Sequence, residues 1–153
     1  MKVLYHYTTS LHIPSIMADG KLRLTESNLK NWGKIGEYDY EAYNRWELKL
    51  YKPCVWMTSL EEPESFALGL HSAVDKTEIR ITIKKQPYFK KWREWSRANN
   101  IDKEWAQTME HGRQSNTWWI SELEVTMKDI VKIENRYTGE VIFENPDLIS
   151  RLK

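Results

Sequence analysis

The sequence predicts an α+β domain. Three observations carry this prediction: runs with a period of two near the start, middle and end of the chain, helical spacings between some of them, and no regular strand–helix alternation of the kind a doubly wound sheet requires. At 153 residues and 41% hydrophobic content the chain suits one domain, residues 1–153, with one core.

Lys2 to Tyr7 alternates as a strand. Thr9 or Ser10 can then cap a short helix that turns Leu11, Ile13, Ile16 and Met17 inward until Gly20 stops it. Lys21 to Leu24 reads as a second short strand. The pattern weakens from Thr25 to Lys52 into a polar segment carrying Trp32, Tyr38, Tyr40, Tyr43, Arg45 and Trp46, helical from Tyr40 to Leu50. So long an irregular insertion suggests function, and its rings argue against disorder. Cys54 to Ser59 is a strand, and Glu61-Glu62-Pro63-Glu64 suits the first turn of a helix carrying Phe66, Ala67 and Leu70.

Glu78 to Lys84 places Ile79, Ile81 and Ile83 on one side of a half-buried strand. Helices are expected over Tyr88–Asn99 and Lys103–His111. Trp118 to Val125 forms a late strand, Ile130 to Ile133 another, and Glu140 to Phe143 a last one after the Thr138-Gly139 turn.

The balance of 23 basic against 22 acidic residues gives no call for a polyanionic partner or a membrane surface, so any basic patch is local. A lone cysteine, Cys54, forms no internal disulfide and has no metal-ligand spacing around it, which suggests a reducing cytoplasm. The N-terminus enters a strand directly, with no leader expected, and no apolar run is long enough to cross a bilayer. Eight Trp and eight Tyr are many for this length, and some are expected at a pocket or contact surface.

Polar side chains cluster where strands end. Tyr5-His6-Tyr7-Thr8-Thr9 leads into the first helix, Thr58-Ser59 closes a middle strand, and Ser121-Glu122-Leu123-Glu124-Val125 followed by Asp129-Ile130 lies late. In this order they resemble the ADP-ribosyltransferase fold, in the branch whose signature positions are a histidine, an aromatic or hydroxyl residue, and an acid. Similar openings occur in DNA-targeting ADP-ribosyltransferase toxins and RNA 2′-phosphotransferases. The resemblance implies a split, strongly bent mixed sheet with flanking helices, NAD as co-substrate with no metal, and a nucleic acid or protein as the macromolecular acceptor. Here Thr58 and Ser59 stand where many relatives place an aromatic.

Within that resemblance His6 holds a ribose hydroxyl, Thr8 helps seat the dinucleotide, and Ser59 braces the acid. Tyr7, Tyr38, Tyr40 or Tyr43 stacks on nicotinamide, and Arg45 pairs with the pyrophosphate. The catalytic acid is Glu122 or Glu124, which alternation points to one face, so spacing leaves the choice open. A carboxylate there stabilises the oxocarbenium-like sugar and accepts the nucleophile's proton. Water in place of an acceptor makes an NAD glycohydrolase, and a degenerate relative makes a non-catalytic nucleotide or protein binder.

Each residue also has a structural reading. His6 can simply satisfy a hydrogen bond, Glu122 can be a surface acid, Ser59 with Glu62 suits a capping box, and His12, His71 and His111 show no partner spacing. Lys84, Lys85, Lys90, Lys91, Arg93 and Arg97 interleave with Tyr88, Phe89, Trp92 and Trp95, as in single-strand nucleic-acid binders. A solvated helix with Phe89, Trp92 and Trp95 inward explains the same pattern and is favoured by the near-neutral whole. Arg113, Gln114 and Asn116, together with Lys90 and Arg93, are the candidate acceptor contacts.

Overall fold

The computed structural model describes residues 1–24, 53–63, 75–99, 101 and 103–152. Strands and helices mix without regular alternation, as the sequence predicts: β1 (Val3–Thr8), α1 (Ile13–Asp19), β2 (Lys21–Leu22), β3 (Val55–Thr58), β4 (Ile79–Lys84), β5 (Lys90–Lys91), α2 (Trp92–Ala98), α3 (Lys103–Glu110), β6 (Trp118–Ser121), β7 (Val125–Thr126), β8 (Ile130–Asn135), β9 (Val141–Glu144) and α4 (Pro146–Ile149). Seven strands form one sheet in the order β5-β6-β3-β1-β4-β8-β9, and β2 pairs separately with β7. Every ladder among the described residues is antiparallel, where a mixed sheet was expected.

The period-two pattern decides which side chains go inside. β1 and β4 pair along their whole length, with Leu4 opposite Ile83, His6 opposite Ile81 and Thr8 opposite Ile79. Those isoleucines join Leu4, Val55, Met57, Val125, Ile130 and Ile133 in the larger core, which Ile16 of α1 covers. A second core lies around Cys54, Trp92, Trp95, Trp118 and Ile120, on the other face of β3 and β6. Trp118 and Ile120 point into it while Trp119, between them, packs on the first core.

Several expected elements are shorter or differently made. Thr9 does cap the chain's first turn, accepting from the Leu11 amide at 3.5 Å, but that turn is a 3-10 turn over Ser10–His12 and α1 starts only at Ile13. Leu11 is therefore 69% exposed and Met17 42%, and only Ile13 and Ile16, three apart on one face, reach the core. Gly20 ends α1 in the left-handed conformation at φ 68°, where its amide bonds the Ile16 carbonyl. Lys90 and Lys91 begin no helix; they pair with Ile120 and Trp119 as an edge strand, and the helix starts at Trp92.

The late strand breaks as well: β6 ends at Ser121, a bend carries residues 122–124, and β7 resumes at Val125. Ser121 holds that bend, its hydroxyl donating to the Leu123 carbonyl and accepting the Leu123 amide. α4, missed in the sequence, is capped by Asn145, whose side chain accepts from the Asp147 amide at 2.9 Å. The insertion with Tyr38, Tyr40, Tyr43 and Arg45, and the helix expected after Pro63, lie outside the described residues.

Candidate functional site

β1, β3 and β6 are neighbours in the sheet, so the ends of these strands meet. Tyr5 pairs with Thr58, and continuing that antiparallel offset sets Thr8 level with Val55, which pairs with Ser121. The C-terminal ends of β1 and β6 thus flank the start of β3, with strand axes about 10 Å apart by two ordinary strand spacings. His6, Trp56 and Glu122 all sit near this end.

His6 is half-buried and its Nδ1 donates to the Trp56 carbonyl at 2.7 Å. A carbonyl only accepts, so Nδ1 carries the proton and the neutral ring keeps Nε2 as an acceptor. Burial lowers the pKa of His6, the Trp56 bond opposes that, and nearby His12 lowers it further. His12 itself shares a 2.8 Å hydrogen bond, through Nδ1, with the hydroxyl of buried Thr8. That pairing escaped the sequence because the 3-10 turn, rather than a straight strand or helix, folds residue 12 back over residue 8.

Trp56 also escaped it, and it is the aromatic of the middle strand. Its ring packs 5.0 Å from Trp92 and edge-on to Trp118, while Trp92 lies 6.0 Å from Trp95. Trp95 in turn donates its indole Nε1–H to Glu122 Oε1 at 2.8 Å. Cys54, fully buried beside this cluster, has its thiol pushed up to about 12, first by burial and then by the charge of Glu122. A tryptophan two residues after a cysteine in an apolar strand was legible only as core.

The two acids do not share a face, contrary to the expected alternation. The bend after Ser121 interrupts the strand, leaving Glu122 on Trp95 and Glu124 in an ion pair with Lys21 at 3.0 Å across the β2–β7 pair. His6 and Glu122 also lie on opposite faces of the sheet. His6 follows Leu4 toward the first core, and Glu122 follows Trp118 and Ile120 toward the second.

Other expected contacts are corrected by position. Ser59, at the far end of the β3–β6 ladder from Ser121, donates its amide to the Thr117 carbonyl and cannot brace Glu122. Tyr7 is 7% exposed, its hydroxyl lies 2.7 Å from the carbonyls of Leu60 and Glu61, and the Arg136 guanidinium covers its ring at 5.5 Å. No face of Tyr7 is left for stacking.

Arg113, Gln114 and Asn116 precede β6 and so lie a strand's length, about 13 Å at four residues, from Glu122. Arg113 donates to the Met109 carbonyl, and Arg93 docks on Ser115 of the same loop, leaving Gln114 and Asn116 exposed. Lys90 is exposed on the edge strand β5.

Two hollows of the described surface, of about 470 and 190 Å³, are lined by neither His6 nor Glu122. Among the described residues no group of three His, Cys, Asp or Glu side chains is arranged to hold a metal ion, and no helix is long and apolar enough to cross a membrane. Comparison with known proteins returns no matching family model, no similar curated protein and no similar solved structure.

Proposed function

We propose that this chain is an NAD-dependent ADP-ribosyltransferase acting on a macromolecular acceptor, nucleic acid or protein, and that the separate β2–β7 pair marks the split of that fold's sheet. One observation supports the reading most: β1, its neighbour β3 and the bend after β6 hold a histidine, an aromatic and an acid at one end of the sheet, with His6 on the Trp56 backbone carbonyl and the Trp56 ring linked through Trp92 and Trp95 to Glu122. Trp56 rather than Thr58 or Ser59 supplies the middle position of the resemblance.

In this reading His6 Nε2 accepts a ribose hydroxyl. The C1′–nicotinamide bond breaks with its electron pair leaving on nicotinamide, and the acceptor's nucleophile forms the new bond to C1′. Glu122 stabilises the cationic sugar and takes the nucleophile's proton. Glu122 is exposed, but its one described hydrogen bond holds it to Trp95 on the face of the sheet opposite His6, so breaking that bond does not by itself bring both side chains to one sugar.

The opposed faces of His6 and Glu122 favour a second reading, a non-catalytic nucleotide or protein binder on the same scaffold. Incubation with NAD and chromatography of the products separates these. Nicotinamide release that falls at least 100-fold in Glu122→Gln, with NAD binding retained, supports catalysis. Free ADP-ribose without a modified acceptor makes the protein a glycohydrolase. Binding without any nicotinamide release establishes the binder, and loss of turnover in Glu124→Gln alone overturns the choice of acid.

A further inference from the structure

The smaller hollow, about 190 Å³, lies on the face of the sheet turned away from the larger core, and the strand register builds it. Tyr5, Thr82 and Lys132 stand opposite one another across β1, β4 and β8, and Arg80 stands opposite Glu134 two residues further along. These residues alternate with Leu4, Ile81 and Ile133 of the larger core, so their side chains take the other face. All five line the hollow, together with Glu61.

The charges of this hollow are already matched. Arg80 pairs with Glu134 at 3.3 Å and with Glu62 at 2.6 Å, and Lys132 pairs with Glu134 at 3.0 Å. Among the lining side chains two cations face two carboxylates, so no net charge is left for a ligand to meet. The hydroxyls are not matched. Among the described residues, neither Tyr5 nor Thr82 makes a hydrogen bond through its side chain. Thr82 is only 2% exposed, yet its hydroxyl oxygen is not sealed from solvent, and the hollow it lines is the space that oxygen meets. A hydroxyl set so deep without a partner is costly, and a bound group that both donates and accepts removes the cost.

We propose that this hollow binds a neutral monosaccharide. Sugar hydroxyls both donate and accept, as the Tyr5 and Thr82 hydroxyls do, whereas an anion only accepts and brings a charge that the ion pairs leave unmet. Lys132 keeps further N–H donors beyond its ion pair, and the Glu61 carboxylate keeps acceptor oxygens, for other hydroxyls of the same ring. The size agrees: drug-sized ligands take about 300–1,000 Å³ and one water about 30 Å³, so about 190 Å³ suits a single ring. Strands and ion pairs hold the lining side chains beforehand, and binding therefore costs little side-chain ordering. Lying on the face away from His6, the hollow is separate from the candidate NAD site, and binding there requires no turnover.

The test is titration of the isotope-labelled full chain with D-glucose, D-galactose and D-mannose, followed by amide chemical shifts. At least one sugar is expected to bind with a Kd of about 1 mM or tighter, its shifts gathered on β1, β4 and β8. Thr82→Val and Tyr5→Phe keep the shape of each side chain, and each is expected to weaken that binding about tenfold, the worth of one hydrogen bond. Neither removes a bond within the fold, so both variants should match wild type in urea unfolding. Tyr88→Phe, whose hydroxyl lies outside the hollow, is expected to leave binding unchanged. Failure of all three sugars to bind overturns the proposal, as does binding that survives both hydroxyl deletions or falls equally in Tyr88→Phe. Tighter binding of L-glutamine or of inorganic phosphate than of every sugar assigns the hollow to a zwitterion or an anion and also overturns it.

Discussion

Replacing His6 by glutamine tests the electrostatic account of the candidate site through stability alone. An imidazole in the unfolded chain titrates near its ordinary value of about 6.5. In the fold, burial lowers the pKa of His6 below that, so the folded protein holds a neutral ring where the unfolded chain takes up a proton. The stability this group contributes is therefore complete above about pH 6.5 and is lost as the pH falls from there toward the folded pKa.

The slope in that window is about 1.4 kcal/mol per pH unit, so the loss by pH 5 reaches up to about 2 kcal/mol. Above the window, the Nδ1–H bond to the half-buried Trp56 carbonyl contributes about 1–3 kcal/mol, most of it the cost of leaving that carbonyl unpaired. Urea unfolding of wild type and His6→Gln, followed by tryptophan fluorescence at pH 8, 6.5 and 5, isolates the effect because other titrating groups cancel in the difference. Wild type should be the more stable at pH 8, and its advantage should shrink at pH 5. A difference constant across the three pH values would refute the neutral, buried state of His6.

Three further perturbations probe the scaffold. Cys54, with its thiol pushed up to about 12 and no exposure, should fail to react with a disulfide reagent at pH 8 until urea unfolds the chain; rapid labelling of the folded protein contradicts its place in the tryptophan core. Ile81→Ala should cost about 2–5 kcal/mol in urea unfolding, since Ile81 has no exposure and lies opposite His6 at the centre of the larger core; a cost under 1 kcal/mol denies that packing. Gly20→Ala should cost about 1 kcal/mol through backbone conformation alone, because an added Cβ would meet only Met127 Cγ at 3.9 Å while φ stays at 68°; no loss would mean that α1 ends in another way.

The local elements were legible wherever a short-range rule governs them. The alternation of Ile79, Ile81 and Ile83 and the Gly20 stop are decided by neighbours a few residues apart, and they appear where expected. Where a distant partner competes, the rule failed. Lys90 and Lys91 join a strand because β6 offers an open edge, and Trp118 to Val125 breaks because Val125 pairs with β2 rather than continuing the ladder with β3.

The candidate site divides in the same way. A histidine closing the first strand and acids following the late one are visible in one dimension. That Trp56 receives His6, that Glu122 is held by Trp95, and that Glu122 and Glu124 part company are decided by strand order and by a bend. By itself, then, the chain's order of residues determined the α+β class, the inward face of each regular strand and the polar strand ends, because periodicity and capping act over a few residues. Only the tertiary structure decided which of those ends meet and which face each side chain takes there, because pairing between strands some fifty to sixty residues apart is set by the burial of the whole sheet.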